Sequence, residues 1–277
     1  MSSNNPGVRF GLGVMDASTA HPDAYAGIAD LYDLEHESYA DDVDFYLNFV
    51  EAVGDPVLEL GCGTGRLLTG VAEAGFRVTG IDRSEAMLER ARKQIEQAGF
   101  RDLVDLHQGE MTAAEQAPGG PFGIVIIALN GLLHLPDTRS QRAVLEAARR
   151  ALDPRGMLLI DVLNPTPETL RGLDHSFVHE GVWHLENGTR VDKFAARRLA
   201  AATQTIATEI WYDLTGEDGS VRRVATSMPM RYVHRAELEL MLELAGFAEW
   251  QIYGSYDLDP FGDQSDRLIV AAEATPS

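Results

Sequence analysis

A chain of 277 residues, 45% apolar and 24% charged, is long enough for one sizeable core plus an elaboration, and its composition excludes the disordered, collagenous and disulfide-dense classes. Forty-three Asp plus Glu against 23 Lys plus Arg give a formal charge of -20, which repels a phosphate backbone, so nucleic acid is not an expected partner. The single cysteine, Cys62, supplies neither an internal disulfide nor a Cys-based zinc cluster, and no metal is expected. The N-terminus lacks a basic segment followed by an apolar run. The longest apolar stretch, 123–135, is too short for a bilayer and contains Asn130 and His134, so no membrane association and a cytoplasmic setting are expected.

Residues 1–21 carry Gly, Ser, Asn and Pro without apolar periodicity and read as a mobile tail. Ile28, Leu31, Tyr32 and Leu34, then Val43, Phe45, Tyr46, Phe49 and Val50, recur at helical spacing, so 22–54 reads as a cap of two amphipathic helices placed to cover a cleft. The acid run 41–44 reads as a solvated helix face. An alternation follows: strand 57–60, helix 65–74, strand 77–81, helix 84–97, strands 103–107 and 123–129, helix 140–152, strand 157–163. Strands alternating with helices of this length predict an α/β fold over 55–164, a doubly wound parallel sheet whose ligands lie outside the carboxyl ends of the strands.

After Pro165 the rhythm changes. Segments 178–185, 190–199, 203–214 and 221–231 read as strands, the first pair joined by Asn187-Gly188 and the last by 216–220, so 165–232 is expected to be an antiparallel β insert on the substrate side or at a homodimer contact. A helix over 234–245, ended by Gly246, and strands 249–253 and 266–272 return the chain to the core sheet over 233–277. His175, His179 and His184 lie within ten residues, but on a strand His184 faces away from the other two, which argues against a metal site.

The sharpest local signal is Val57-Leu58-Glu59-Leu60-Gly61-Cys62-Gly63-Thr64-Gly65-Arg66, an apolar strand running into three alternate glycines before a helix. Such glycines let a ligand lie against the main chain. Their spacing differs from the dinucleotide fingerprint, which counts against a nicotinamide oxidoreductase, and Glu59 beside the loop suits an ammonium or sulfonium better than a pyrophosphate. Asp82 ends the second strand, where a carboxylate can accept from both hydroxyls of a ribose. Its alternative role is as N-cap of the next helix, which Ser84 can fill instead. Glu110 ends the third strand and can accept from an adenine amine, with Met87 and Met111 packing on the ring.

Glu59-Leu60-Gly61-Cys62-Gly63-Thr64-Gly65 with Asp82 and Gly109-Glu110-Met111 resembles the S-adenosyl-L-methionine (SAM) site of class I methyltransferases, over about 23–163 plus the last two strands. The resemblance implies a Rossmann-like methyltransferase sheet, SAM as cofactor and S-adenosyl-L-homocysteine as product. It also implies that Gly61, Cys62, Gly63 and Gly65 face the methionine part, Asp82 the ribose, Glu110 the adenine amino group and the backbone around Leu129 the methionine ammonium. Residues 23–36 and 130–135, with the β-rich insert, are similar to amino-sugar N-methyltransferases of natural-product biosynthesis. That similarity implies Tyr25 and His134 beside the methylated amine, Tyr32 at the methionine carboxylate, and a small-molecule acceptor with an amine or hydroxyl. Glu35, Glu37, Asp41, Asp42 and Asp44 crowd the cap, which favours a cationic or neutral acceptor over a nucleotide-linked one. The rival reading is a SAM-fold protein that binds the cofactor without methyl transfer, such as a cyclase.

Overall fold

The computed structural model describes residues 23–36 and 41–274; the expectations for the tail 1–21 and for Glu37 lie outside the described residues. Helix α1 (Ala29–His36) and helix α2 (Val43–Val53) precede β1 (Val57–Leu60), α3 (Arg66–Glu73), β2 (Val78–Asp82), α4 (Glu85–Ala98), β3 (Val104–Gln108), β4 (Phe122–Ile127), α5 (Thr138–Ala151) and β5 (Leu152–Leu163). Strands β1 to β5 run parallel to their neighbours in the order β5-β4-β1-β2-β3. The two last strands, β11 (Glu249–Tyr253) and β12 (Arg267–Glu273), extend this sheet to seven, with β12 antiparallel to both β5 and β11. The chain winds outward from β1 through β2 to β3 and then returns to β4 on the other side of β1. The carboxyl ends of β1 and β4 therefore flank the switch point, where a sheet of this kind leaves a crevice.

The sequence of the central strands explains why they lie inside. β1 is buried at all four residues, and Phe122, Ile124, Val125, Ile126 and Ile127 of β4 are 0–1% exposed, because both faces are covered by helices. On one face Leu58, Leu60, Val125 and Ile127 pack with Val144 and Leu145 of α5 and with Leu238 and Leu242 of α7 (Arg235–Leu244). On the other, Val57, Ile124 and Ile126 pack with Phe45 of α2, Leu67 and Leu68 of α3 and Leu88 of α4. Neighbouring residues of one strand thus serve opposite faces, and burying each such side chain is worth about 1.5–3 kcal/mol.

The insert forms a separate antiparallel sheet from β6 (Phe177–His184), β7 (Arg190–Ala200), β8 (Thr205–Thr215), β9 (Val221–Ser227) and β10 (Met230–Arg231). The expected single strand over 221–231 is divided. Both β9 and β10 pair with β8, and the break falls at Pro229, which has no N–H to give to the ladder. One element escaped the sequence reading: α6 (Pro167–Leu173) follows Thr166, whose Oγ1 accepts from the Thr169 N–H at 3.0 Å, with proline in the first turn. Ile28 and Leu31 pack on Val191, Ala195, Ile210 and Tyr212 of this sheet, so the first helix of the cap rests on the insert.

Candidate active site

At the switch point lies a cleft with about 820 Å³ of unfilled space, the open solvent at its mouth included. Its floor is the glycine loop. Gly61 (φ 78°), Cys62 and Gly63 (φ 55°) line it, and a Cβ built at Gly63 meets no atom of the described residues within 4 Å. Gly65 does not line the cleft. A Cβ there would stand 3.1 Å from the Ala91 Cβ, so its φ of 85° and missing side chain serve the approach of α3 to α4. Cys62 is buried, and burial holds its thiol well above the usual range.

Asp82 ties the loop to the end of β2. Its Oδ2 accepts from the Gly63 N–H and its Oδ1 from the Ser84 N–H, both at 2.8 Å, while capping of α4 falls to Ser84, whose Oγ accepts from the Met87 N–H at 3.3 Å. Burial raises the Asp82 carboxyl, against the two backbone hydrogen bonds. Met87 and Met111 give the wall an apolar surface. Glu110, expected at the adenine amine, is 63% exposed, 4.0 Å from Arg83 and outside the lining; Arg83 itself is in the lining.

Glu59 enters from β1. It is 5% exposed, it lines the cleft, and its Oε2 is buried without a hydrogen-bond partner among the described residues. Burial pushes this carboxyl up to about 8, opposed by Arg66 and reinforced by Asp42 and Asp82. Beyond β4 the chain turns through two successive left-handed residues, Leu129 (φ 44°) and Asn130 (φ 65°). For leucine this costs on the order of 1–3 kcal/mol. The turn is fixed by Asn130, whose N–H donates to the Asp161 carbonyl at 2.9 Å and whose Oδ1 accepts from the Leu163 N–H at 2.7 Å, and it leaves Leu129 on the cleft wall.

The roof comes from the cap. Tyr25 and Tyr32 line the cleft with their rings edge to face at 5.8 Å, and the Tyr25 hydroxyl lies 3.2 Å from His134 Nε2. Burial lowers His134 to about 4, so the imidazole is neutral over the whole neutral range; burial also raises both tyrosines. Helix α1 is clamped from both flanks. Arg90 binds Asp30 and Asp33 on one side, and on the other Glu35 receives bonds from Lys193 and the Tyr212 hydroxyl.

The expectation of a solvated acid face over 41–44 holds for Asp41 and Asp44 but not for Asp42, which is 0% exposed and bound through both oxygens to Arg66 at 2.7 and 2.6 Å. A carboxylate can be buried at that depth only with such a partner. Asp42 and Glu35 are thus tied up in ion pairs and add little free negative charge at the entrance. Arg66, Thr64 and Arg83 also line the cleft, and residue-by-residue reading had missed them. For Arg66 a signal existed: it is the first residue of α3, where the helix dipole disfavours a cation, so something specific has to hold it there.

Residues 57–156 match the methyltransferase-domain family, and this span runs from β1 into β5 through the glycine loop, Asp82 and His134. The chain carries a SAM-dependent methyltransferase domain. Among curated proteins it is 32% identical to the putative methyltransferase YqeM of Bacillus subtilis over 143 residues, 50% of this chain and 55% of that protein. It is 26% identical to the cypemycin N-terminal methyltransferase of a Streptomyces species over 79% of this chain and 83% of that one. The chain spans about half the length of the first curated relatives it matches. Among solved structures, the CcbJ methyltransferase of Streptomyces caelestis superposes with a TM-score of 0.74 at 26% identity, covering 92% of this chain and all of that one.

The methyltransferase domain fits its cofactor on its own chemistry. The unpartnered Glu59 carboxyl, which a cationic group would draw into its charged form, can receive an ammonium or sulfonium, the open face of Gly63 leaves room for a ligand against the main chain, and Met87 and Met111 supply an apolar wall.

Proposed function

We propose that the chain transfers a methyl group from SAM to an amine of a small natural-product or sugar-like acceptor. The observation that carries this reading is the Tyr25–His134 pair on the lining of the cleft that also holds the glycine loop and Asp82. When bound, SAM supplies an electrophilic methyl on a sulfonium. The rest falls to the chain. Glu59, Asp82 and the glycine loop fix the cofactor, and the Tyr25 hydroxyl and His134 Nε2 hold the acceptor nitrogen in line. Such orientation can supply roughly 7–11 kcal/mol of the barrier.

An imidazole at about 4 is a weak base, so His134 accepts a hydrogen bond from the amine or from Tyr25 rather than storing a proton through turnover. An amine arriving neutral tolerates that arrangement; a hydroxyl, which needs its proton removed during attack, does not. The name of the cypemycin N-terminal methyltransferase, which denotes action at an amine, supports the same choice. Incubation with labelled SAM and matched panels of amines and alcohols tests it. Label in a product heavier by one methylene from the amines is the expected result, and labelling of the alcohols alone overturns the acceptor assignment.

A further inference from the structure

Two carboxylates, Asp161 and Asp42, are fully buried among the described residues. Asp161 is held by Arg267 and the Tyr256 hydroxyl, and it joins β5 to β12, which is a task internal to the sheet. Asp42 differs, because its partner lines the cleft. It occupies the N-cap position of α2 yet makes no capping bond, forgoing a contact that stabilises most helices that begin with Asp. Both its oxygens instead reach 24 residues along the chain to Nη1 and Nη2 of Arg66. Held there, the guanidinium keeps one place on the cleft lining in place of the many a free arginine would sample.

Arg66 shares the cleft lining with Tyr32 and with Glu59, whose Oε2 has no hydrogen-bond partner. A fixed cation close to an unpartnered carboxyl is the complement of an α-amino acid, with its carboxylate on Arg66 and its ammonium on Glu59. The nucleoside half of SAM carries neither charge. We propose that Asp42 is a positioning residue for the cofactor: by fixing the Arg66 guanidinium across the cap it aims a cation at the carboxylate of the amino-acid end of SAM. This rests on the SAM reading above.

Calorimetric titration of the full chain with S-adenosylhomocysteine and with methylthioadenosine, which keeps the nucleoside and thioether but lacks the amino acid, separates the cases. Asp42→Asn and Arg66→Gln should each weaken S-adenosylhomocysteine about ten- to 100-fold and leave methylthioadenosine within about twofold. Asp42→Asn can also unfold the chain by removing the charge partner of the Arg66 side chain, which is only 19% exposed. The double variant Asp42→Asn/Arg66→Gln removes both charges, and its loss should equal that of Arg66→Gln alone because the two residues act as one. Losses that add in the double variant, or that fall equally on the two ligands, overturn the positioning role. Unchanged affinity for S-adenosylhomocysteine does so too. Wild-type chain that binds neither ligand overturns the SAM reading itself.

Discussion

Burial moves Glu59 and His134 in opposite directions, and both end up neutral in the unliganded cleft near pH 7. For Glu59 the folded chain holds a proton between about 4.5 and 8 that the unfolded chain has released. Its contribution to stability is therefore full below 4.5 and lost as pH rises through 8. A cationic ligand reverses the preference and draws the proton off. SAM affinity should rise with pH up to about 8 and then level, with proton release at pH 7 seen as a dependence of the binding heat on buffer ionisation; Glu59→Gln should abolish that dependence. For His134 the folded chain holds fewer protons than the unfolded between 4 and 6.5, so its contribution is present above 6.5 and lost as pH falls through 4. The rate profile of the wild-type chain should accordingly show no imidazole limb between pH 5 and 8. His134→Ala should lose no more than about ten-thousandfold in rate with an amine acceptor, and by the same factor at every pH, because the imidazole holds the amine and does not take its proton. A limb near 6.5 that disappears in this variant would make the imidazole a titrating base.

Between residues and the whole chain, the link that matters most joins the glycine loop to the end of β2. Asp82 closes it with two backbone hydrogen bonds while its carboxylate stands on the cleft lining. Hydrogen bonds to a charged group are each worth about 1.5–3 kcal/mol, so Asp82→Ala should weaken SAM roughly ten- to 150-fold and also lower the unfolding temperature. Thermal unfolding beside ligand titration checks both. A variant with wild-type affinity would remove Asp82 from the site, and one with lost affinity at unchanged stability would show that the loop holds its shape without the link. The cap belongs to this scale as well. Its helix α1 is gripped by Arg90 on one flank and by Lys193 and Tyr212 on the other, which places Tyr25 and Tyr32 over the cleft, and Asp42 at the start of α2 holds Arg66.

At the scale of the whole molecule, apolar periodicity and turn chemistry were enough to specify the doubly wound sheet, the antiparallel insert and most element boundaries to within a few residues, because both depend on neighbours along the chain. Asp82, Met87, Gly63 and His134 were legible for a related reason. Each sits at a strand end or in a loop whose position follows from chain order, and the topology then carries them all to one crevice. Gly65 was visible as a glycine, but whether it faces a ligand or Ala91 depends on how two helices meet. Glu110 was visible as an acid at a strand end, but the direction of an exposed side chain there is not a property of spacing. Asp42 looked like one more surface acid, and its burial exists only because α2 and α3 bring it to Arg66. The sequence by itself determined the order of the elements, the glycine loop and hence the kind of ligand. Only the tertiary structure decided which acids are free, which are paired and which are held neutral, because desolvation and ion pairing are set by what packs around a group, often far away in the chain.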